Sequence, residues 1–313
     1  MAARNRTMQL SASDEIAYAD TLLTLAKPSS IKDITNRILC QDMLEAASFL
    51  PDACIDLLFL DPPYNLNKSF NGKAFHKQSI ESYTTQLDEW ISALLHTLKP
   101  TATIYICGDW LSSTSIHTVA SRYFRIRNRI TWEREKGRGA LTNWKNCSED
   151  IWFCTMGDDY HFNPEAVKLK RKVLAPYRSA DKTPKDWQET DDGNHRLTYP
   201  SNLWTDITIP FWSMPENTEH PTQKPEKIMA KLMLASSKPK DIILDPFLGS
   251  GTSAVVAAKL GRKFIGIEKD KKYCALAQKR LALASKNPDI QGYSNGVFWE
   301  RNSLAEQKKS IKT

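Results

Sequence analysis

The sequence predicts an α/β protein built on a doubly wound, mostly parallel sheet, with a polar region inserted between its halves. Two short apolar runs, Leu57-Leu58-Phe59-Leu60 and Ile242-Ile243-Leu244, read as strands covered on both faces, as in parallel sheets. Each stops at an acid followed by proline, Asp61-Pro62-Pro63-Tyr64 and Asp245-Pro246, where neither a strand nor a regular helix continues. The second run leads into a small-residue turn, a helix from Thr252 and another strand at 263–267. Each acid therefore stands at the carboxyl end of a strand, where open α/β sheets bind ligands. Asp and Pro are also ordinary turn residues, so either stretch alone is equally consistent with a plain turn.

Taken in order, residues 1–30 are a peripheral segment with one helix expected at 17–25. Residues 31–156 form the first half of the sheet. Arg37-Ile38-Leu39-Cys40 is a short strand closed by Gln41-Asp42, and Asp42 is placed to cap a helix over 44–50. After Tyr64, the polar, glycine-containing stretch 65–73 is a loop able to close over the strand end. A helix follows over 83–98, ended by Lys99-Pro100, with Leu87, Trp90, Ile91, Leu94, Leu95 and Leu98 as its core stripe. A strand at 103–107 and a helix at 111–123 come next. Residues 124–132 alternate apolar and basic residues, as a strand with one solvated face does. The loop after it, with Lys136, Arg138 and Trp144, suits phosphate contact and base stacking. Another strand is expected at 151–154.

From 157 to 215 the chain turns polar and proline-containing, with no period of 2 or 3.6. It holds the basic group Lys168, Lys170, Arg171 and Lys172, and later Trp187, Trp204 and Trp212. So long an irregular stretch is usually functional, although a solvated insertion has the same composition. The second half of the sheet spans 216–285, with helices at 227–236, from Thr252, and at 273–284. In the turn Phe247-Leu248-Gly249-Ser250-Gly251, glycines let the backbone approach a ligand and leave amides free at a helix start. Glu268 ends the next strand. Strand, glycine turn, helix, strand and acid together hold a ribose-bearing cofactor, the acid accepting from the ribose hydroxyls. The tail, 286–313, is polar and expected to be partly disordered.

Composition narrows the function classes. The formal net charge of +7 favours an anionic partner such as nucleic acid. No apolar run reaches the roughly 20 residues that span a bilayer, and the first residues lack a secretory signal's apolar core, so a cytoplasmic protein without membrane attachment is expected. The six cysteines form no Cys-x-x-Cys pair and the six histidines no i, i+4 pair, so reduced thiols and no metal site are expected.

Asp61-Pro62-Pro63-Tyr64, Asp245-Pro246-Phe247-Leu248-Gly249-Ser250-Gly251-Thr252 and His220-Pro221-Thr222-Gln223-Lys224-Pro225 together resemble the motifs of amino-group DNA methyltransferases. The order, catalytic motif before cofactor motif, is that of the family's β class, and the resemblance covers roughly 38–283. It implies the methyltransferase fold with permuted motif order and S-adenosylmethionine as cofactor. By resemblance, Asp61, Pro62, Pro63 and Tyr64 are catalytic. Asp42, Asp61, His220, Thr222, Lys224, Asp245, Phe247, Gly249, Ser250, Gly251, Thr252 and Glu268 hold the cofactor. The 157–215 region becomes the target-recognition insertion, with Lys136, Arg138, Lys168, Lys170, Arg171 and Lys172 as DNA contacts. The implied activity is methylation of adenine N6 in double-stranded DNA, since an Asp opens the catalytic motif. Cytosine N4 is the alternative. The resemblance leaves open a homodimer and pairing with a restriction endonuclease. A methyltransferase of RNA or protein amides would usually carry its cofactor loop first, and a partner subunit without catalysis would not need both motifs intact.

Overall fold

The computed structural model describes residues 5–66, 68–70, 73–75, 77–134, 142–173, 177–190, 193–303 and 307. The chain opens with α1 (Ala12–Ala19), α2 (Ile31–Ile34), β1 (Arg37–Cys40), α3 (Met43–Ala47) and β2 (Ile55–Leu60). A hairpin of β3 (Lys68–Phe70) and β4 (Lys73–Phe75) precedes α4 (Ile80–Leu94), β5 (Leu98–Gly108), α5 (Ser113–Tyr123), β6 (Arg125–Glu133) and β7 (Ser148–Thr155). The insertion carries β8 (Leu169–Lys172), β9 (Gln188–Thr190), β10 (Gly193–Thr198) and β11 (Leu203–Trp204). Then come α6 (Glu226–Ser236), β12 (Ile242–Asp245), α7 (Thr252–Lys259), β13 (Lys263–Glu268) and α8 (Lys271–Ala284), and finally β14 (Tyr293–Ser294) and β15 (Val297–Trp299).

The main sheet runs β1-β13-β12-β2-β5-β7-β6-β11, with β1 through β5 parallel and β7 antiparallel to both its neighbours. This is the mostly parallel, doubly wound sheet expected from the two apolar runs. Its strands alternate sides: Leu57 and Phe59 of β2 face a core with α6, α7 and α8, while Leu58 and Leu60 face one with α3, α4 and α5. Both faces being covered, the strands carry no polar face, which is why they read as continuous apolar runs. Register places Ile243 opposite Leu57 and Leu244 opposite Leu58, so Asp245 and Asp61 end neighbouring strands. From that pair the chain leaves in opposite directions, β2 through α4 to β5 and β12 through α7 to β13. The crevice between them is the sheet's topological switch point. Among the described residues no helix is long and apolar enough to cross a membrane.

Three expectations are corrected, and the described part of the tail turns out to pair with the insertion. The first helix lies at Ala12–Ala19, started by a Ser11–Asp14 capping box, and not at 17–25. Leu23 instead pairs with the edge strand, its N–H donating to Ile38 O at 3.1 Å and its O accepting from Cys40 N at 2.8 Å. Helix α4 stops at Leu94, and Lys99 and Pro100 belong to β5. Pro100 is tolerated there because the β5 ladder to β2 breaks register between the Ile55–Leu98 and Leu57–Thr103 pairs. The insertion is not irregular: β8, β10 and β9 pair antiparallel, and β11 adds a strand to the main sheet. The described part of the tail is ordered against it. Strand β15 lies parallel to β8, burying Phe298 completely and leaving Trp299 3% exposed. Tail and insertion thus share one small five-stranded sheet, β14-β15-β8-β10-β9.

A buried charge cluster fixes this small sheet beside α6. Asp206 is ion-paired with Lys227 Nζ at 2.7 Å and accepts a hydrogen bond from Lys231 Nζ at 2.8 Å, all three side chains being at most 7% exposed. Lys227 also bonds the backbone oxygens of Asp206 and Trp299. Removing one partner of such a cluster strands buried charge, at a cost of about 3–5 kcal/mol. Asp206→Ala should therefore lower the unfolding free energy by about that much in urea titrations. An unchanged transition midpoint would show that the cluster does not hold the two sheets together.

Candidate active site

Strand β2 delivers Asp61 to the switch point, and the Pro62-Pro63 pair turns the chain sharply away. Tyr83 of α4 donates its hydroxyl to Pro63 O at 3.1 Å, which fixes the turn's backbone. Asp61 meets a cation rather than solvent: Lys224 Nζ donates to its Oδ1 at 2.8 Å and its Oδ2 at 2.7 Å. Tyr64 folds back over the pair, its hydroxyl 3.1 Å from Asp61 Oδ1 and 3.3 Å from Glu149 Oε2. Lys224 Nζ lies 5.3 Å from the centroid of the Tyr64 ring. Glu149, from β7, lies 3.4 Å from Lys224 Nζ and is ion-paired on its other oxygen with Arg134. The centre is therefore a buried network of two carboxylates, two cations and a phenol.

Electrostatics follow from that burial. Burial alone would lower the Lys224 ammonium, but Asp61 and Glu149 more than reverse this and raise it above the ordinary lysine value. Burial likewise works against the charged form of Glu149, yet Lys224 and Arg134 hold it below the usual carboxylate range. Tyr64 is driven well above an ordinary phenol, first by burial and then by the two carboxylates. At neutral pH the network thus holds an ammonium, ionised Glu149 and a neutral phenol.

On the other side of the switch point, β12 ends in Asp245 and the glycine turn. Gly249 has φ +54°, and a Cβ on it would come within 3.0 Å of His220 Nε2. Its N–H donates to Glu268 Oε2 at 2.9 Å, so the acid ending β13 is held against the turn, its Oε1 accepting from Asp270 N at 2.8 Å. Burial raises Glu268 above its ordinary value. Each carboxylate oxygen keeps capacity for a further donor. Asp42 caps α3, its Oδ1 accepting from Leu44 N at 3.0 Å, and it also borders the cleft. Phe247 packs edge-on against Trp90, ring centroids 5.1 Å apart, as part of the apolar wall.

All four catalytic candidates, Asp61, Pro62, Pro63 and Tyr64, line one cleft of about 280 Å³. So do eight of the cofactor candidates: Asp42, Asp61, His220, Thr222, Lys224, Phe247, Gly249 and Glu268. The other four stand behind it. Asp245 is buried, raised to about 7 by burial, and its carboxylate accepts from Phe247 N and from the Ser253 hydroxyl. Ser250 and Thr252 are tied to Arg280, and Thr252 also donates to Lys224 O at 3.1 Å. Gly251, at φ +84°, has no room for a side chain because a Cβ would lie 2.6 Å from Ala277 Cβ. These residues shape the turn and anchor the Lys224 segment.

Of the DNA-contact candidates, Lys136 and Arg138 lie outside the described residues. Lys168 pairs with Glu165 at 2.7 Å, Arg171 lies 3.9 Å from Glu300, and Lys170 lies 4.4 Å from the centroid of the Trp299 ring. Lys172 is exposed. All four belong to β8 or its flank, and none lines the cleft. The sequence reading missed Glu149, Arg134, Trp90 and Tyr273 as parts of the site. One signal for Glu149 exists: it occupies the inward register of β7 with Ile151 and Phe153, where an acid has to have a partner.

Comparison with known proteins matches residues 55–279 to a family model described as DNA methylase. The chain is 32% identical to the DNA adenine methyltransferase YhdJ of Escherichia coli (strain K12), with 84% of this chain and 88% of that protein covered. It is also 32% identical to the type II methyltransferase M.HpaI of Haemophilus parainfluenzae, covering 78% of this chain and 74% of that one. Its fold is similar to the M1.HpyAVI–SAM complex, with TM-score 0.54 and 23% identity over 78% of this chain and 98% of that one. The cytosine-N4-specific PvuII DNA methyltransferase superposes with TM-score 0.56 at 16% identity, covering 90% of this chain and 98% of that one. At these identities the structural matches speak for the fold alone.

The crowding at Gly249 generates a prediction. Gly249→Leu adds a side chain against His220 at a left-handed φ, which costs about 1 kcal/mol of strain in the turn. Calorimetry should show S-adenosylmethionine affinity reduced at least about tenfold while the variant still unfolds cooperatively. Unchanged affinity would remove this turn from the binding site.

Proposed function

The chain belongs to the DNA methylase family of amino-group methyltransferases, and from that premise we propose that it transfers a methyl group from S-adenosylmethionine to adenine N6 in double-stranded DNA. The observation that carries the proposal is the meeting of Asp61 and the Gly249 turn in one cleft, through the pairing of β2 with β12. The residues fit the cofactor. Gly249 leaves the turn free of a side chain, Glu268 offers carboxylate acceptors at the end of β13, and Phe247 and Trp90 supply an apolar wall. When bound, S-adenosylmethionine supplies an electrophilic methyl group.

The protein's part is to make a poor nucleophile attack. The lone pair of an exocyclic amine is delocalised into the base. Asp61 and the Pro62 carbonyl accept its two N–H bonds, which favours a tetrahedral nitrogen and localises the lone pair. Tyr64, its hydroxyl tied to Asp61 and Glu149, offers a ring to stack on the base. The Tyr83–Pro63 bond keeps the Pro-Pro turn in place, and fixed positioning lowers the barrier further. Since the amine lies inside the duplex, the base has to be extruded before reaction. The fold does not choose between adenine and cytosine. The Asp at the head of the catalytic motif favours adenine, and one relative is named an adenine methyltransferase. Another relative is named a type II methyltransferase, which supports site-specific modification paired with a restriction endonuclease.

Asp61→Ala tests the assignment. It removes the amine's acceptor while Glu149 still neutralises Lys224, so the fold and DNA binding should survive. Transfer of radiolabelled methyl groups to duplex DNA should fall by on the order of 100-fold or more, with RNA and protein unlabelled by the wild type. Near-normal turnover in this variant would end the mechanism.

A further inference from the structure

Glu149 is a buried carboxylate for which the reaction above has no direct use. Both Asp61 oxygens that an incoming amine would need are engaged by Lys224, at 2.8 and 2.7 Å, and the Lys224 side chain is 8% exposed. That ammonium cannot withdraw without a counter-charge, because stranding a buried cation is strongly unfavourable. Glu149 supplies one in place. Its Oε1 is held by Arg134, its Oε2 lies 3.4 Å from Lys224 Nζ and 3.3 Å from the Tyr64 hydroxyl, and its side chain is 6% exposed. Tyr64 shows the same division, with one proton and two acceptors, Asp61 Oδ1 at 3.1 Å and Glu149 Oε2 at 3.3 Å. Two donors are thus suspended between two carboxylates, only one of which ends β2.

We infer that Lys224 and Glu149 are a paired positioning device: Lys224 holds Asp61 until the target amine arrives, then passes with the Tyr64 hydroxyl to Glu149, releasing the Asp61 oxygens. The inference rests on the proposed reaction, in which Asp61 accepts from the amine. No bond to carbon changes in this exchange. Lys224 stays an ammonium and Tyr64 a neutral phenol throughout, so only hydrogen-bond partners swap. Lys224 then serves Asp61 directly, beyond the cofactor role that the motif resemblance implies for it. Arg134 keeps Glu149 from turning away when the second cation reaches it.

The test compares kcat and KM for methyl transfer to duplex DNA in the wild type, Glu149→Gln, Lys224→Met and the double variant. Glu149→Gln keeps the shape but removes the charge that receives Lys224. Its kcat should fall by about 100-fold with KM for S-adenosylmethionine unchanged. Adding Lys224→Met should restore about tenfold of that loss, because no ammonium then has to leave Asp61. A purely structural role would instead lower unfolding stability and S-adenosylmethionine affinity together with kcat, so the fall in kcat at unchanged KM and unchanged stability separates the two. Wild-type kcat in Glu149→Gln, or a double variant no faster than the single, would overturn the inference. If Glu149→Gln does not fold, Glu149→Asp replaces it, and Lys224→Met has to relieve that variant's defect in the same way. Wild-type protein inactive on DNA would instead refute the proposed reaction itself, which separates the two failures.

Discussion

The parallel pairing of β12 with β2 is the constraint on which the rest of this structure depends. Two strands, far apart in sequence, each lead into Asp-Pro, and their pairing brings Asp245 and Asp61 to neighbouring strand ends. Because their crossovers leave in opposite directions, no helix covers the ends, and a crevice remains open there. One wall is the glycine turn and Glu268, and the other is the Pro-Pro turn. Nothing in either motif alone makes a site. The sheet makes it by bringing the glycine turn and Asp61, the proposed amine acceptor, to one cleft. The permuted order of the motifs is immaterial to this geometry, since what matters is spatial neighbourhood.

Around that crevice the chain buries more charge than stability alone would favour. Asp61, Glu149, Lys224 and Arg134 form one network, and Asp206 with Lys227 and Lys231 forms another along α6. Both involve the same stretch, because Lys224 lies just before α6 and Lys227 and Lys231 lie within it. That stretch is thereby tied to the end of β2 on one side and to the insertion and tail on the other. Buried ion pairs are often no better than apolar packing in energy, but they fix position and partner. Here they fix the segment that carries Lys224 against its neighbours.

Much of this was legible in the sequence, and the exceptions have physical reasons. The strands were legible as continuous apolar runs because both sheet faces are covered, and the long helices by their period. The proposed catalytic residues and the cleft-lining cofactor candidates stand in local motifs, and the fold brings them to one cleft. Helix α4 was misjudged at its end because the apolar stripe runs on through the 3-10 turn at Leu95 to Leu98, the first residue of β5. The small sheet was missed because its strands are short and its partners distant, with Phe298 paired to Leu169. Glu149 was missed for a related reason. Its partners Tyr64 and Lys224 are brought to it only by the fold, although an acid on the inward register of β7 was a usable sign.

The central claim is that a single cleft holds both a methyl donor and the exocyclic amine of an adenine. Its most direct test is chemical: incubate duplex DNA with the protein and S-adenosylmethionine, digest it to nucleosides and identify the methylated species by mass spectrometry. N6-methyladenine is the expected product, absent when the cofactor is withheld. Recovery of N4-methylcytosine with no N6-methyladenine would contradict the choice of base, and DNA carrying no methylated amine would contradict the function drawn from the cleft.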